Sequence, residues 1–131
     1  MPVVDSSVLV EYLAGGEHAK PARARLLTDR HRLWAPHLVD AEVGHVLRRG
    51  VMLGELRPSA ATEALQDLGS MPLKRAGHIG LLDRAWSLRD NVSFYDALYI
   101  ALAEQLGMPL LTLDARLQAA PGVRAAIEIV A

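Results

Sequence analysis

The sequence predicts an α/β fold, one domain over residues 1–131 with a small, mainly parallel central sheet flanked by helices. Three observations carry this reading. Short apolar runs suited to buried strands alternate with segments of helical periodicity along the whole chain. The hydrophobic fraction of 51% and mean hydropathy of +0.17 suit a sheet covered on both faces. Residues 93–116, SFYDALYIALAEQLGMPLLTLDAR, spell a helix apolar on nearly all sides, then a Gly-containing turn, then a buried strand. One carboxylate stands at each far end of that unit.

In order along the chain, Val3 and Val4 form a short strand that stops at Asp5. Ser6 and Ser7 open a helix through Val8, Leu9, Val10, Tyr12 and Leu13, with a Ser cap and a stop at Gly15 and Gly16. A second helix over 19–30 places Ala22, Leu26 and Leu27 on one face. Leu33, Trp34 and Ala35 make a strand ended by Pro36. The next helix, over 37–49 and stopped by Gly50, has Val39, Val43, Val46 and Leu47 as its apolar stripe. Leu38, Glu42 and Val46 form an adjoining row at i, i+4 and i+8, which sets Glu42 on or beside the buried face. After Pro58 and Ser59 a helix runs to Leu68, with Gly69 as its stop. Residues 71–74 read as a strand, and 79–89 as a helix using Leu81, Leu82, Ala85, Trp86 and Leu88. Ser93 starts the strongly apolar helix, Gly107 ends it, and Pro109 bars its continuation. Residues 109–113 form a core strand ending at Asp114, 115–119 a helical turn, and 127–130 the last strand.

Composition narrows the function. With no cysteine, disulfides and Cys-based zinc sites are excluded. The longest apolar run, 97–103, is far too short to span a bilayer. No basic leader or cleavage-type segment opens the sequence, so a cytosolic protein is expected. A net charge of -1 gives no overall pull towards nucleic acid. The cluster of Lys20, Arg23, Arg25, Arg30 and Arg32 reads equally as a solvated helix face or as a patch for phosphate.

Four acids stand out. Ligands of open α/β sheets bind at the carboxyl ends of strands, where Asp5 and Asp114 fall. Alternation along the strand puts Leu110, Thr112 and Asp114 on one side. Glu42 and Asp96 interrupt otherwise apolar helix rows. Each has an ordinary role available. Asp5 and Asp114 suit helix caps, Asp96 completes a capping-box spacing with Ser93, and Glu42 suits pairing with an Arg. His37 and His45 read as ordinary helix histidines, and Asp40 as a surface or capping acid. Together, however, four acids at the edge of one core, without four obvious cationic partners, would repel one another and lose charge. One or two hard cations, Mg²⁺ or Mn²⁺, resolve this with oxygen ligands and retained waters. Such a centre activates water and stabilises a phosphodiester transition state.

The chain resembles the PIN-domain ribonucleases, most closely the VapC-type toxins of bacterial toxin–antitoxin pairs, over essentially its whole length. The resemblance rests on Val-Val-Asp5-Ser-Ser, on Glu42 within HLVDAEV, on YDALYIALA around Asp96 and on LTLDARL around Asp114. It implies a PIN-like three-layer fold. Asp5, Glu42, Asp96 and Asp114 match the family's four metal-site acids, with Asp5 and Asp96 at the positions usually credited with Mg²⁺. Thr112 matches a hydroxyl residue lining that site, and Ser6 follows the first acid as in relatives. The resemblance further implies a Mg²⁺- or Mn²⁺-dependent endoribonuclease toxin acting on RNA and paired as a homodimer. A cognate antitoxin would block its site with a basic side chain, and DNA would be met only through that antitoxin. The alternative is a PIN-like binding module without activity, acting within an antitoxin–DNA complex. A phosphoacceptor receiver would need paired acids after the first strand and a late Lys, and a haloacid-dehalogenase-type phosphatase needs Asp-x-Asp there. Both patterns are missing.

Overall fold

The computed structural model describes residues 1–29 and 32–131. Among these the chain forms five strands, β1 (Val3–Val4), β2 (Leu33–Pro36), β3 (Leu73–Ala76), β4 (Leu110–Thr112) and β5 (Ile127–Ile129). The six α-helices are α1 (Ser6–Ala14), α2 (Ala19–Thr28), α3 (Leu38–Met52), α4 (Pro58–Ser70), α5 (Leu82–Ser87) and α6 (Phe94–Leu106), with 3₁₀ turns at Ile79–Leu81 and Ala115–Ala119. No helix among the described residues is long and apolar enough to cross a membrane.

All pairings are parallel, in the order β3-β2-β1-β4-β5. Val3 lies opposite Trp34 on one side and Leu110 on the other, and Val4 lies opposite Leu111. The chain steps outward from β1 through β2 to β3, then returns to β4 and steps outward the other way. Right-handed crossovers therefore place α1 to α4 on one face and α5 and α6 on the opposite one. The packing agrees, since α1 meets α2, α3 and α4, whereas α6 covers β1, β2 and β4 and carries α5. A central strand covered on both faces has no polar side, which is why Val3, Val4, Leu110 and Leu111 are fully buried.

Helix α6 is the best-specified element. Ser93 Oγ accepts from the Asp96 N–H at 3.1 Å, a cap worth about 1 kcal/mol. At the other end Gly107 takes φ 64°, and Met108 N–H reaches Ala103 O while Gly107 N–H reaches Glu104 O. That pair of bonds is a Schellman stop, which needs a left-handed residue and so favours Gly. All seven residues of 97–103 are at most 3% exposed, because the sheet lies on one side and α5 on the other.

Several expected boundaries shift, each for a packing reason. Asp5, not a serine, caps α1. Helix α3 continues through Gly50 to Met52, because the chain folds back and Leu56 Cβ lies 3.2 Å from where a Cβ on Gly50 would sit. Tertiary packing here outweighs a propensity cost of about 1 kcal/mol. Helix α4 likewise passes through Gly69 to Ser70, which moves β3 to Leu73–Ala76 in register with β2. The helix expected over 79–89 is a 3₁₀ turn followed by six-residue α5. It buries Leu81, Ala85 and Leu88 but exposes Ile79, Leu82 and Trp86. Leu27 and Val46, expected on apolar faces, are also exposed. Helix α2 ends at Thr28, and Arg30, read as the end of that helix and part of the basic cluster, lies outside the described residues.

Candidate metal centre

Asp5 leaves the central strand and starts α1, so its backbone is fixed twice. Its N–H bonds Leu111 O at 3.1 Å, and its Oδ1 accepts from Val8 N–H at 3.2 Å. The Ser7 hydroxyl also donates to Oδ1, while Ser7 Oγ accepts the Leu113 N–H at 3.1 Å. Ser7 thus ties Asp5 to the exit of β4. At 8% exposure, Asp5 is the most buried acid of the four. Burial pushes its carboxyl above the usual aspartate value, partly offset by hydrogen bonds from Ser7, Thr112 and the Val8 N–H, and Asp96 adds repulsion.

Thr112, fully buried at the end of β4, faces the same place. Its Oγ1 accepts the Asp114 N–H at 3.0 Å, and its hydroxyl supports Asp5. Thr112 thus stands between the Asp5 carboxyl and the Asp114 backbone.

Asp96 stands in the first turn of α6, where the helix dipole favours an anion. Its carboxyl is nonetheless raised by burial and by nearby Asp114, against the Ser93 hydrogen bond and the Arg116 charge. Asp114 caps the 3₁₀ turn Ala115–Ala119. Arg116 grips it in a fork, Nε to Oδ1 at 3.0 Å and Nη2 to Oδ2 at 2.8 Å, which holds its carboxyl below the usual range. So one of the four acids, Asp114, has a cationic partner. The other three acids have no ion pair among the described residues.

Glu42 stands apart from this group. Its Oε1 accepts the Tyr99 phenol at 2.6 Å and the Ser6 hydroxyl at 3.4 Å. Burial, then Glu42 and Asp5, raise the Tyr99 phenol far above its ordinary value, so Tyr99 keeps its proton and donates. Ser6 therefore serves Glu42 rather than Asp5. The site consists of Asp5, Asp96 and Asp114 with Arg116 on one side, and Glu42, Tyr99 and Ser6 on the other, with the Tyr99 hydroxyl near both Asp5 and Glu42. One open cleft runs along Asn91, Ser93, Asp96, Asp114 and Arg116, and another along Ser6, Glu42, His45 and Tyr95. A separate groove lined by Val10, Ala14, Val46, Leu47 and Leu56 lies between helices, away from the acids.

Among the described residues, no three carboxylates or imidazoles already converge into an ion-ready cluster. The donor set still suits a hard cation. Asp5 is a buried carboxylate held by neutral donors, Asp96 repels its acidic neighbours, and all four groups offer oxygen. Asp5 and Asp96 present carboxylate oxygens free of any ion pair among the described residues, whereas both oxygens of Asp114 are engaged by Arg116.

Two functional candidates were missed in the sequence, Ser7 and Tyr99. A hydroxyl two residues after Asp5 is within reach of its carboxylate, and Tyr99 follows Asp96 by three residues on one helix face. Asp40 is an ion-pair residue, bound by Arg75 at 2.7 and 2.8 Å. Within the basic cluster, Arg25 is tied to Asp29 and Glu128, which makes it structural.

A PIN domain family model matches residues 3–123. Ribonuclease VapC1 of Mycobacterium tuberculosis is 46% identical over 129 residues, covering 98% of this chain and 96% of that protein. In structure, the chain resembles the VapC20 toxin of M. tuberculosis, described as cleaving the sarcin-ricin loop, with TM-score 0.72, 20% identity, and 91% and 94% of the two chains covered. It also resembles VapBC2 of Rickettsia felis, solved bound to a DNA fragment from its promoter, with TM-score 0.72, 13% identity, and 97% and 96% covered. These two likenesses establish the parallel-sheet fold.

Proposed function

The chain belongs to the PIN-domain family, with VapC ribonucleases among its relatives, and from that premise we propose that it is a metal-dependent endoribonuclease toxin, cytosolic and held in check by a cognate antitoxin. The observation that carries this is the gathering of Asp5, Asp96 and Asp114 at the carboxyl edge of the two central strands. Asp5, nearly buried and held only by neutral donors, directly follows β1, while Asp114 comes after β4 and lines one cleft with Asp96, at the switch point of a parallel sheet. Burying such charge is costly, and a fold gains nothing structural from it that a neutral cap could not supply.

Asp5, Asp96 and Asp114 would hold Mg²⁺ or Mn²⁺, one ion or two, with Glu42 completing the shell. When bound, the ion supplies a Lewis acid for the phosphoryl oxygens. The chain's own residues do the rest. Ser7, Thr112 and the Val8 N–H aim Asp5, and the α6 N-terminus with Ser93 aims Asp96. Tyr99 and Ser6 both engage Glu42 Oε1, which leaves Oε2 to take the proton of an attacking water. RNA as substrate, a homodimeric assembly, an antitoxin partner and DNA contact through that partner follow from the relatives and belong to the same proposal.

The Asp114–Arg116 fork favours a second reading, a binding module without activity in which Arg116 keeps Asp114 permanently engaged. Brief expression followed by mapping of new RNA 5′ ends separates the two. Discrete cuts that disappear with Asp96→Asn, while the variant stays folded by circular dichroism, support the nuclease. No cuts leave the module, and cuts unchanged in Asp96→Asn overturn the assignment of this site.

A further inference from the structure

We infer that Arg116 is a releasable counter-ion built into the acidic site: it holds Asp114 until a divalent cation takes that carboxylate, and the freed guanidinium then binds a phosphate of the RNA. This rests on the metal-centre reading above. The argument comes from comparing three arginine forks in the same molecule. Arg75 grips Asp40 but also donates to Leu73 O and Leu68 O, and Arg84 grips Glu104 while donating to Gly122 O. Their side chains are only 21% and 29% exposed, so both forks are mortised into the backbone. Arg116 has neither feature. Its side chain is 90% exposed, and its guanidinium meets Asp114 alone among the described residues.

An exposed ion pair without further anchors is weak and screened by solvent, so it can be exchanged. The fork nevertheless occupies both oxygens of Asp114, and the Arg116 charge also reaches Asp96. A cation arriving at Asp96 therefore meets one acid free and one already engaged. Once Asp114 turns to the ion, Arg116 stays on the lip of the same cleft, with no carboxylate to hold and a planar fork that fits phosphate.

The test titrates Mn²⁺ by calorimetry into the full chain, into Arg116→Gln, and into Arg57→Gln as a control for a surface arginine outside the site. Anisotropy of a fluorescein-labelled RNA hairpin in saturating Mn²⁺ gives the second measurement. Arg116→Gln should bind Mn²⁺ about two- to fivefold more tightly, the size of one exposed ion pair. It should bind the hairpin about three- to tenfold more weakly, as for one lost phosphate contact. Arg57→Gln should move neither. Opposite shifts of ion and RNA affinity are not produced by a merely structural role, which would weaken both. An unchanged or weaker Mn²⁺ affinity, or an unmoved hairpin affinity, overturns the inference and leaves the metal centre standing. No Mn²⁺ binding by the unmodified chain removes the metal centre itself, and the inference with it.

Discussion

The Tyr99 phenol lies 2.6 Å from Glu42 Oε1, so α6, apolar along its whole interior, reaches across to α3 through its one buried hydroxyl. The bond joins two helices on opposite faces of the sheet at the sheet's carboxyl edge. It holds one oxygen of Glu42, the longest side chain of the four acids.

Tyr99→Phe keeps the ring in the core and removes only the donor. Glu42 Oε1 then retains Ser6 at 3.4 Å. Urea denaturation should show a loss of about 1–2 kcal/mol, the worth of a hydrogen bond to a charged acceptor. RNA cleavage should slow by about tenfold at saturating substrate with KM unmoved, since Glu42 is misaimed rather than removed. Unaltered turnover would take Tyr99 out of the positioning role.

Asp5→Asn keeps an oxygen for the Val8 N–H, and Asn caps helices as well as Asp does. It removes a buried charge that faces Asp96. In metal-free buffer the variant should therefore melt at or above the wild-type temperature while cleavage disappears. Mn²⁺ at a hundred times its Kd should stabilise the wild-type chain by about 2.7 kcal/mol and leave the variant unmoved. A variant that melts well below wild type would mean that Asp5 is a structural cap first.

Glu104 contributes to the acid limb of stability. Burial pushes its carboxyl up, but hydrogen bonds from the Arg84 guanidinium and the Arg124 N–H outweigh this and hold it below the usual 4.5. As pH falls the unfolded chain takes the proton first. The stabilisation is therefore complete above 4.5 and lost as pH drops through the folded value. Glu104→Gln should lower the neutral plateau by about 1–3 kcal/mol and flatten the decline below pH 4.5. Urea midpoints across that range check both.

The sequence carries the α6–β4 unit almost completely, because its signals agree: a Ser cap, an apolar interior, a Gly stop, a Pro and an acid. The acids at strand and helix ends are legible for the same reason. Less visible is whatever depends on two segments meeting. Gly50 and Gly69 look like helix stops until Leu56 is seen lying over Gly50. Leu82 and Trp86 look like core until α5 proves too short to bury more than one side. The Tyr99–Glu42 bond spans 57 residues, and the choice of Ser7 over Ser6 for Asp5 depends on how α1 leaves the strand.

Val3 and Val4, at the centre of the sheet, wait for Leu110 and Leu111. The strand that carries the first acid is made about a hundred residues before the strand that carries the last. At roughly 5–20 residues per second, the ribosome needs several seconds between them. During that interval Asp5 has no neighbour at Leu111, and no Asp96 or Asp114 to share a site with. The four acids therefore cannot meet until the segment carrying Asp114 has been made. For the nuclease proposed above, strand order alone sets an interval in which an inhibitor can be at hand before there is anything to inhibit.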